Sequence, residues 1–207
     1  MAAPNVFGEP LTDETVRKYF PNKQVITRKD RAYLAYNLRE AERKNEKADA
    51  YVLKLKEKYG DGIATLVTIY NATGDTLTYF REHDFSGHIG EAPYPRQIQN
   101  GQWAAFLHVA GSSAAVLYRG LNYDESGGEE YVWLHSWYNV PSNPKKYVYT
   151  EIRKPAHYDA ADIWDWVYPL IKSDSYKENS FGCYSDASIT QNNPYKYSGT
   201  MTLQFVP

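Results

Sequence analysis

Aromatic residues are the side chains of this sequence whose spacing most suggests a binding function. The sequence contains 20 tyrosines, 5 tryptophans and 7 phenylalanines. Trp133 and Trp137 fall on one face of a predicted strand, and Tyr138 falls on the other face. Tyr147 and Tyr149 share a face of the next predicted strand. Pointing outward, these rings would form a platform for a sugar ring or a quaternary ammonium headgroup; pointing inward, they are core.

A second candidate group is polar and lies in a predicted strand end and loop. His83, Asp84 and His88 are close together in the sequence. The histidines do not follow a recognised zinc spacing, so we expect neither a metal nor another cofactor. The full set of candidate ligand-binding residues is Trp133, Trp137, Tyr138, Tyr147, Tyr149, His83, Asp84 and His88.

No residue of the sequence is assigned a catalytic role. Cys183 is the single cysteine, and without an activating histidine nearby in the sequence it is typical of a small buried residue. The segment 111–113 (Gly-Ser-Ser) lacks the glycines of a nucleophile elbow, so we interpret it as a turn between two strands. Both features favour a binding protein over an enzyme.

The bulk composition limits the class of protein and its partners. The net charge is −2 and the pI is near 6.2, which favours neither nucleic acid nor an anionic membrane as a partner. We find no signal peptide and no apolar run long enough to span a bilayer, so a cytoplasmic location is expected. The possible glycosylation site at Asn71 is interpreted as part of a turn. The oligomeric state is left open.

The chain is expected to form a single domain, residues 1–207, with a helical sequence pattern in its first part and a strand pattern in the rest. In residues 1–60, a capping-box-like motif at 27–30 precedes a long helical pattern to Tyr59, with a candidate break at Asn45. Small apolar residues form one stripe of this pattern, which we expect to pack on the rest of the domain. The stripe contains Ala32, Ala35, Leu38, Ala41, Ala48, Val52, Leu55 and Tyr59.

Residues 61–207 predict an antiparallel β-sandwich. Short β-branched and aromatic runs are separated by turn signals, including a hairpin loop at 71–75 and loops at 86–97 and 122–130. One helix is expected between late strands, at 159–171, with Ile163, Trp166, Val167 and Leu170 on its buried face. The fold class is therefore α+β: a sandwich with N-terminal helices.

Seven blocks of the sequence resemble the plant 23-kilodalton jasmonate-induced protein family. They are NVFG at 5–8, ITRKDRA at 26–32, KYGDG at 58–62, IYNATGDT at 69–76, NGQW at 100–103, YTEIR at 149–153 and MTLQ at 201–204. The resemblance covers nearly the whole chain. It implies a plant protein made in response to jasmonate and stress, and it brings no catalytic residues with it.

The region from about 65 to 206 is also similar to the actinoporin and aegerolysin kind of sandwich. The likeness rests on the Asn-x-Thr-Gly turn, the segment 111–118 and the aromatic run 133–138. It implies that Trp137, Tyr138, Tyr147 and Tyr149 bind a lipid headgroup or sugar. The N-terminal region departs from those cytolysins, because the helical pattern from 28 to 59 is highly charged.

Three functions remain open at this point. The first is a non-enzymatic, stress-inducible defence protein that binds a glycan, a lipid headgroup or a small plant metabolite. The second is a membrane-active, cytolysin-like protein directed against pests. The third is an enzyme of specialised metabolism that uses an aromatic pocket, with His83, His135 or His157 as acid–base.

Overall fold

The computed structural model describes residues 5–124, 127–204 and 206–207, and most of them lie in strands. The elements, in chain order, are β1 (Val6–Phe7), α1 (Asp13–Tyr19), α2 (Arg28–Asn37), a 3₁₀ turn (Ala41–Arg43), α3 (Lys44–Tyr59), β2 (Ala64–Ala72), β3 (Leu77–Ile89), β4 (Gln97–Ile98), β5 (Trp103–Asp124), β6 (Gly127–Asn139), β7 (Tyr147–Arg153), a 3₁₀ turn (Pro155–Asp159), α4 (Ile163–Val167), a 3₁₀ turn (Tyr168–Leu170), β8 (Ser175–Ser180), β9 (Cys183–Ile189) and β10 (Lys196–Leu203). The predicted α+β composition with N-terminal helices and a late helix is confirmed.

The ten strands form one mixed sheet rather than two antiparallel ones. Its main path runs β4-β3-β5-β2-β10-β9-β8, and β6 and β7 extend it from β5. Strand β10 pairs with β2 in parallel, from Lys196 opposite Leu66 to Thr202 opposite Ala72. The purely antiparallel prediction is therefore wrong at this pair. Strand β3 pairs with β5 instead of β2, so the predicted hairpin loop at 71–75 is wrong. Asn71 and Ala72 still belong to β2, and residues 73–76 connect it to β3.

Strand β5 is bent, and the bend falls where the sequence predicted a turn. Its first part, 103–109, pairs with β2, and its second part, 112–124, pairs with β6. Between them Ala110 and Gly111 both have positive φ, 64° and 84°. Glycine adopts this conformation without strain, so it permits a sharp bend as readily as a reversal. The chain continues in the same strand, and the predicted turn at 111–113 is wrong.

Other loop predictions differ from the structure because strand hydrogen bonding overrides local signals. Strand β3 continues through Gly87 to Ile89, although 86–97 was predicted as a loop. Strands β5 and β6 reach into the predicted loop 122–130; residues 125–126 lie outside the described part of the chain. Strand β8 has no predicted counterpart, because its alternate residues are polar and face solvent.

The sheet wraps around its main core, which contains side chains from most of the strands. Val67 of β2 and Phe106 of β5 pack there with Trp133 of β6 and Ile152 of β7. Across the same interior, the Tyr197 hydroxyl lies 2.7 Å from Nδ1 of the fully buried His135. Hydrophobic burial therefore joins the two halves of the sheet, and a polar contact fixes their alignment.

The N-terminal helices bury the small apolar stripe that the sequence predicted. Ala32, Ala35, Ala48 and Val52 are buried against the sheet. The other members of the stripe are half-buried (Leu38, Ala41 and Leu55) or exposed (Tyr59). The capping box at Thr27 is confirmed by reciprocal bonds with Asp30. None of the helices in the described part of the chain has the length and apolar character needed to span a membrane.

The long helical pattern breaks before the expected residue. Helix α2 ends at Asn37, and α3 begins at Lys44. Between them Glu42 and Arg43 have left-handed backbone angles. The two helices can therefore follow different directions over the sheet. The prediction of a break at Asn45 is wrong by several residues, because charged side chains give no local signal for such a turn.

A polar junction ties α2 to the sheet. Arg31 donates to the Gly74 carbonyl at 2.6 Å, to Asp13 at 2.8 Å and to Asp75 at 2.9 Å. Asn100 donates to the Leu11 and Arg31 carbonyls and accepts from the Gly74 N–H. These side-chain bonds hold the helical region against the sheet. Asn71 is fully buried nearby and lies within β2, where it pairs with Met201, so its interpretation as part of a turn is wrong.

The buried His135 should make stability depend on pH. Burial lowers the pKa of this imidazole to about 3, whereas an unfolded histidine has a pKa near 6.5. The unfolded state therefore binds a proton first as the pH falls, and stability is lost from about pH 6.5 downward. From pH 7 to pH 5, His135 alone should lower the free energy of unfolding by about 2 kcal/mol.

Urea unfolding of wild type and His135→Gln at pH 7 and pH 5 measures this contribution. The difference between the two proteins in their pH dependence isolates His135 from the other histidines and the carboxylates. Equal pH dependence in both proteins would contradict the assignment.

Candidate functional site

The candidate tryptophans of β6 point into the core. Trp133 and Trp137 are fully buried. The Trp137 ring lies 5.6 Å from the Tyr197 ring, and its Nε1 donates to Ser112 at 3.0 Å. Of the two alternatives left open by the sequence, the core orientation holds. Direct contact of either tryptophan with a ligand is therefore wrong as an interpretation of this strand.

The opposite face of the same strands carries Tyr138 and Tyr147. These residues stand directly opposite each other in the β6–β7 register, with ring centroids 6.0 Å apart. Both are half-buried. Tyr149 is buried beneath the segment that follows β7, where its hydroxyl donates to Glu151 at 3.1 Å. Two of the five aromatic candidates are thus partly open to solvent at the outer face, and Tyr149 is not.

The buried face of helix α4 differs in part from the predicted one. Ile163 and Val167 are buried on the outer face of the sheet, as predicted. Trp166 and Leu170 are exposed, Trp166 by 55%, so their predicted burial is wrong. Leu170 leaves the predicted face because α4 has five residues and gives way at Tyr168 to a 3₁₀ turn, which changes the spacing of side chains around the axis.

A buried carboxylate holds the segment that carries α4. Glu151 on β7 accepts from the hydroxyl of the fully buried Tyr158 at 3.0 Å and from that of Tyr149. Arg153 lies 3.3 Å from the same carboxylate. Burial and the neighbouring carboxylate raise the pKa of Tyr158 well above its ordinary value, so this tyrosine keeps its proton and its bond. The turn before α4 is therefore fixed to the sheet.

Six rings on this outer face form one chain of contacts, called here the aromatic patch. His83 stacks on Trp164 with centroids 4.5 Å apart and planes within 5°. Phe85 contacts Tyr168 at 4.7 Å, and Tyr168 lies 6.0 Å from Tyr138. The members of the aromatic patch are His83, Phe85, Tyr138, Tyr147, Trp164 and Tyr168.

A cleft of about 200 Å³ opens within the patch. It is lined by His83, Phe85, Trp164, Asp165, Tyr168 and Pro169. Burial lowers the pKa of His83, although Asp84 and Asp165 oppose that shift. His83 is therefore largely neutral at pH 7, and the neighbouring side chains of Asp84 and Asp165 are acidic. Such a cleft suits an apolar or cationic group better than an anion.

The structure brings only part of the predicted polar group to the patch. His83 is in it. Asp84 points to the other side of β3, where its carboxylate lies 2.9 Å from Nε2 of His108. His88 is exposed, and its Nδ1 lies 2.8 Å from the Ile89 carbonyl. Within the described ranges, no cluster of three or more histidine, cysteine or acidic residues is arranged to hold a metal.

Two potential nucleophiles are enclosed by the fold. Asp84, His108 and Ser112 follow one another at hydrogen-bonding distances of 2.9 and 3.0 Å, as in an acyl-transfer relay. Ser112 is, however, fully buried and bonded to Trp137 and Thr65. Burial also raises the pKa of Cys183 to about 12, so its thiol stays protonated. Neither side chain is accessible to a substrate in this arrangement.

Comparison with known proteins agrees with the sequence blocks. A family model described as Nakanori-like protein matches residues 7–202. The chain is 42% identical over 196 residues to the 23 kDa jasmonate-induced protein of Hordeum vulgare, covering 90% of this chain and 92% of that relative. It is 30% identical over 112 residues to a jasmonate-induced protein homolog of Atriplex canescens, covering 50% and 58%. The resemblance to the jasmonate-induced family is confirmed.

A solved structure shares the fold. The crystal structure of the lipid binding protein Nakanori superposes with a TM-score of 0.79 at 23% identity, covering 95% of this chain and 98% of that one. The mixed sheet with its flanking helices is therefore a known architecture.

Substitution of Trp137 should cost much more stability than substitution of Tyr147. Trp137→Ala removes a fully buried ring and should cost about 3–5 kcal/mol of stability. Tyr147→Ala removes a half-buried ring at the rim and should cost about 1 kcal/mol or less. Thermal and urea unfolding of both variants measures the difference. Equal losses would contradict the assignment of Trp137 to the core and Tyr147 to the surface.

Proposed function

Because the chain belongs to the Nakanori-like protein family, we propose that it is a non-enzymatic binding protein whose aromatic patch binds a lipid headgroup at a membrane surface. The observation that carries this proposal is the contiguity of six rings on one outer face. Tyr138, Tyr147 and His83 were candidates in the sequence, and they come together with three rings that were not.

The residues around the patch favour a membrane over a soluble glycan. Trp166, Tyr168 and Leu170 are exposed on one short segment, Tyr168 by 41%. Tryptophan and tyrosine rings are enriched at the headgroup level of bilayers, where an apolar body and a polar edge are both accommodated. The fold relative Nakanori is described as a lipid binding protein, which supports the same class of ligand. A glycan or a small plant metabolite is the alternative occupant of the cleft.

The charge of the cleft favours a zwitterionic headgroup. Asp165 lines the cleft, and His83 is held neutral by burial. A quaternary ammonium group gains attraction from aromatic faces and from a nearby carboxylate. An anionic headgroup would meet repulsion from Asp165. We therefore expect phosphatidylcholine to bind in preference to phosphatidylserine.

Binding without pore formation is the mode we propose. A cytolysin-like mechanism, with the actinoporin-like form of the fold, would need the N-terminal helices to leave the sheet and insert. Here Arg31 and Asn100 bond α2 and the preceding segment to the sheet. Release would break those bonds and expose the buried stripe of small residues. Leakage from vesicles would favour the cytolysin-like alternative.

The cellular role and an enzymatic activity are separate questions. We propose a stress-inducible defence role for this protein in the cytoplasm of a plant cell. The names of the jasmonate-induced relatives support the stress-inducible part of this proposal. An enzyme using the aromatic cleft would need an acid–base group there, and His83 is the histidine that lines it. The lowered pKa of His83 and its stacking on Trp164 are better suited to a binding surface.

The exposed rings of residues 163–170, the segment that contributes Trp164 and Tyr168 to the aromatic patch, should determine the affinity for vesicles. Trp166→Ala and Tyr168→Ala should each weaken association with phosphatidylcholine vesicles about fivefold to tenfold, because each removes an exposed ring worth about 1 kcal/mol or more at the interface. Their melting temperatures should stay close to that of wild type. Vesicle co-sedimentation measures the affinity.

Tyr33→Ala is the matched control, since Tyr33 is 50% exposed on α2 and outside the patch. It should bind like wild type. Failure of the wild type to bind these vesicles, or equal binding by all four proteins, would disprove the proposal. Retention of a glycan at the same residues would instead select the glycan alternative.

A further inference from the structure

Two irregular stretches of strand face each other under the patch. In β3, the register against β5 shifts between Asp84 and Ser86, which leaves one extra residue, Phe85, on β3. It shifts again between Ser86 and His88, opposite the bend of β5. Bulges of this kind redirect a side chain and are common beside functional sites. Here the extra residue is Phe85, a member of the aromatic patch.

The close approach of the two strands leaves little space at the bulge. Gly87 has φ of +88°, and a Cβ at this position would lie 2.1 Å from the Val109 carbonyl oxygen. The backbone of β3 therefore rests directly on the backbone of β5 at the bend. Without a further tie, two irregular segments with few regular ladder bonds would be free to shift against each other.

A chain of polar side chains supplies that tie. Asp84 lies 2.9 Å from Nε2 of His108, and Nδ1 of His108 lies 3.0 Å from Ser112 Oγ. His108 precedes the bend of β5, and Ser112 follows it. Ser112 in turn lies 2.7 Å from Thr65 of β2 and accepts from Trp137 of β6. One imidazole thus spans the bend and joins the bulge of β3 to three other strands.

The two residues that flank Asp84 in the sequence, His83 and Phe85, are members of the aromatic patch. His83 stacks on Trp164, and Phe85 contacts both Trp164 and Tyr168. Because side chains alternate along a strand, a carboxylate held on one side fixes the direction of its two neighbours on the other side. His108 is fully buried, so it has no direct access to a ligand. Asp84 keeps 34% of its side chain exposed.

We propose that Asp84 and His108 are positioning residues for the aromatic patch: their contact holds the β3 bulge so that His83 and Phe85 meet Trp164 and Tyr168 in the geometry that binds a headgroup. The inference rests on the proposed function of the patch. It assigns a positioning role to His108, which the ligand does not reach. It also makes Asp84 a residue that supports the aromatic patch instead of one that contacts the ligand.

Binding to phosphatidylcholine vesicles and the near-ultraviolet circular dichroism of the stacked Trp164 test this inference together. Asp84→Ala should weaken binding about fivefold to tenfold and change the aromatic dichroism. Asp84→Asn keeps an oxygen that accepts the His108 N–H, so it should restore binding to within about twofold of wild type. Asp61→Ala, which removes an exposed carboxylate beyond the end of α3, should bind like wild type.

A double-mutant cycle separates positioning from general loss of structure. In a His83→Ala/Phe85→Ala background, adding Asp84→Ala should weaken binding by less than about twofold, because the rings that it positions are gone. His108→Leu should reproduce the loss of Asp84→Ala. Should His108→Leu fail to fold, Asp84→Ala decides alone, since Asp84 is partly exposed.

Three results would overturn the inference. Asp84→Ala with wild-type binding would do so, as would full additivity in the cycle. An equal loss in Asp84→Asn would indicate that the ligand itself contacts the charge. If Tyr168→Ala weakens binding in the same assay while Asp84→Ala does not, the positioning role is wrong and the proposed function stands. If neither variant weakens binding, the proposed function is wrong as well.

Discussion

The bend in β5 is the constraint on which the fold and the patch both depend. A single strand of 22 residues pairs with β2 before the bend and with β6 after it. Ala110 and Gly111 make the change of direction possible with left-handed backbone angles. Because the strand turns there, the sheet wraps around its core, Trp137 points inward and Tyr138 points outward. The bulge that presents Phe85 lies against the same bend.

Helical and capping features were accessible from the sequence, because they depend on nearby residues. The Thr27–Asp30 capping box and the buried stripe with Ala32 and Val52 are both present in the structure. Strand pairing was less accessible, because it is decided by residues far apart in the chain. The glycine at 111 is compatible with a turn and with a bend, and only the pairing of β5 with β2 and β6 distinguishes them. The parallel pairing of β10 with β2 has no local signal either.

The same distinction explains which site residues were found. Tyr138 and Tyr147 follow from strand alternation, and His83 from its polar neighbours. Trp164 lies in the five-residue helix and Tyr168 in the 3₁₀ turn that follows it, and the pattern of one helix over 159–171 placed neither ring at the patch. Several of the sequence blocks shared with the jasmonate-induced family meet instead at the junction of Arg31, Asp75 and Asn100, where they bond the helical region to the sheet. These blocks therefore hold the fold together, and the proposed ligand site is the aromatic patch.

Contact between the patch and the bilayer is the central claim, and tryptophan fluorescence measures it directly. Trp103, Trp133 and Trp137 are buried, whereas Trp164 is half-buried and Trp166 exposed. With phosphatidylcholine vesicles whose acyl chains carry bromine near the headgroups, the wild type should lose part of its emission on binding. The variant Trp164→Phe/Trp166→Phe should bind with little quenching. Equal quenching in that variant, or none in vesicle-bound wild type, would contradict the account.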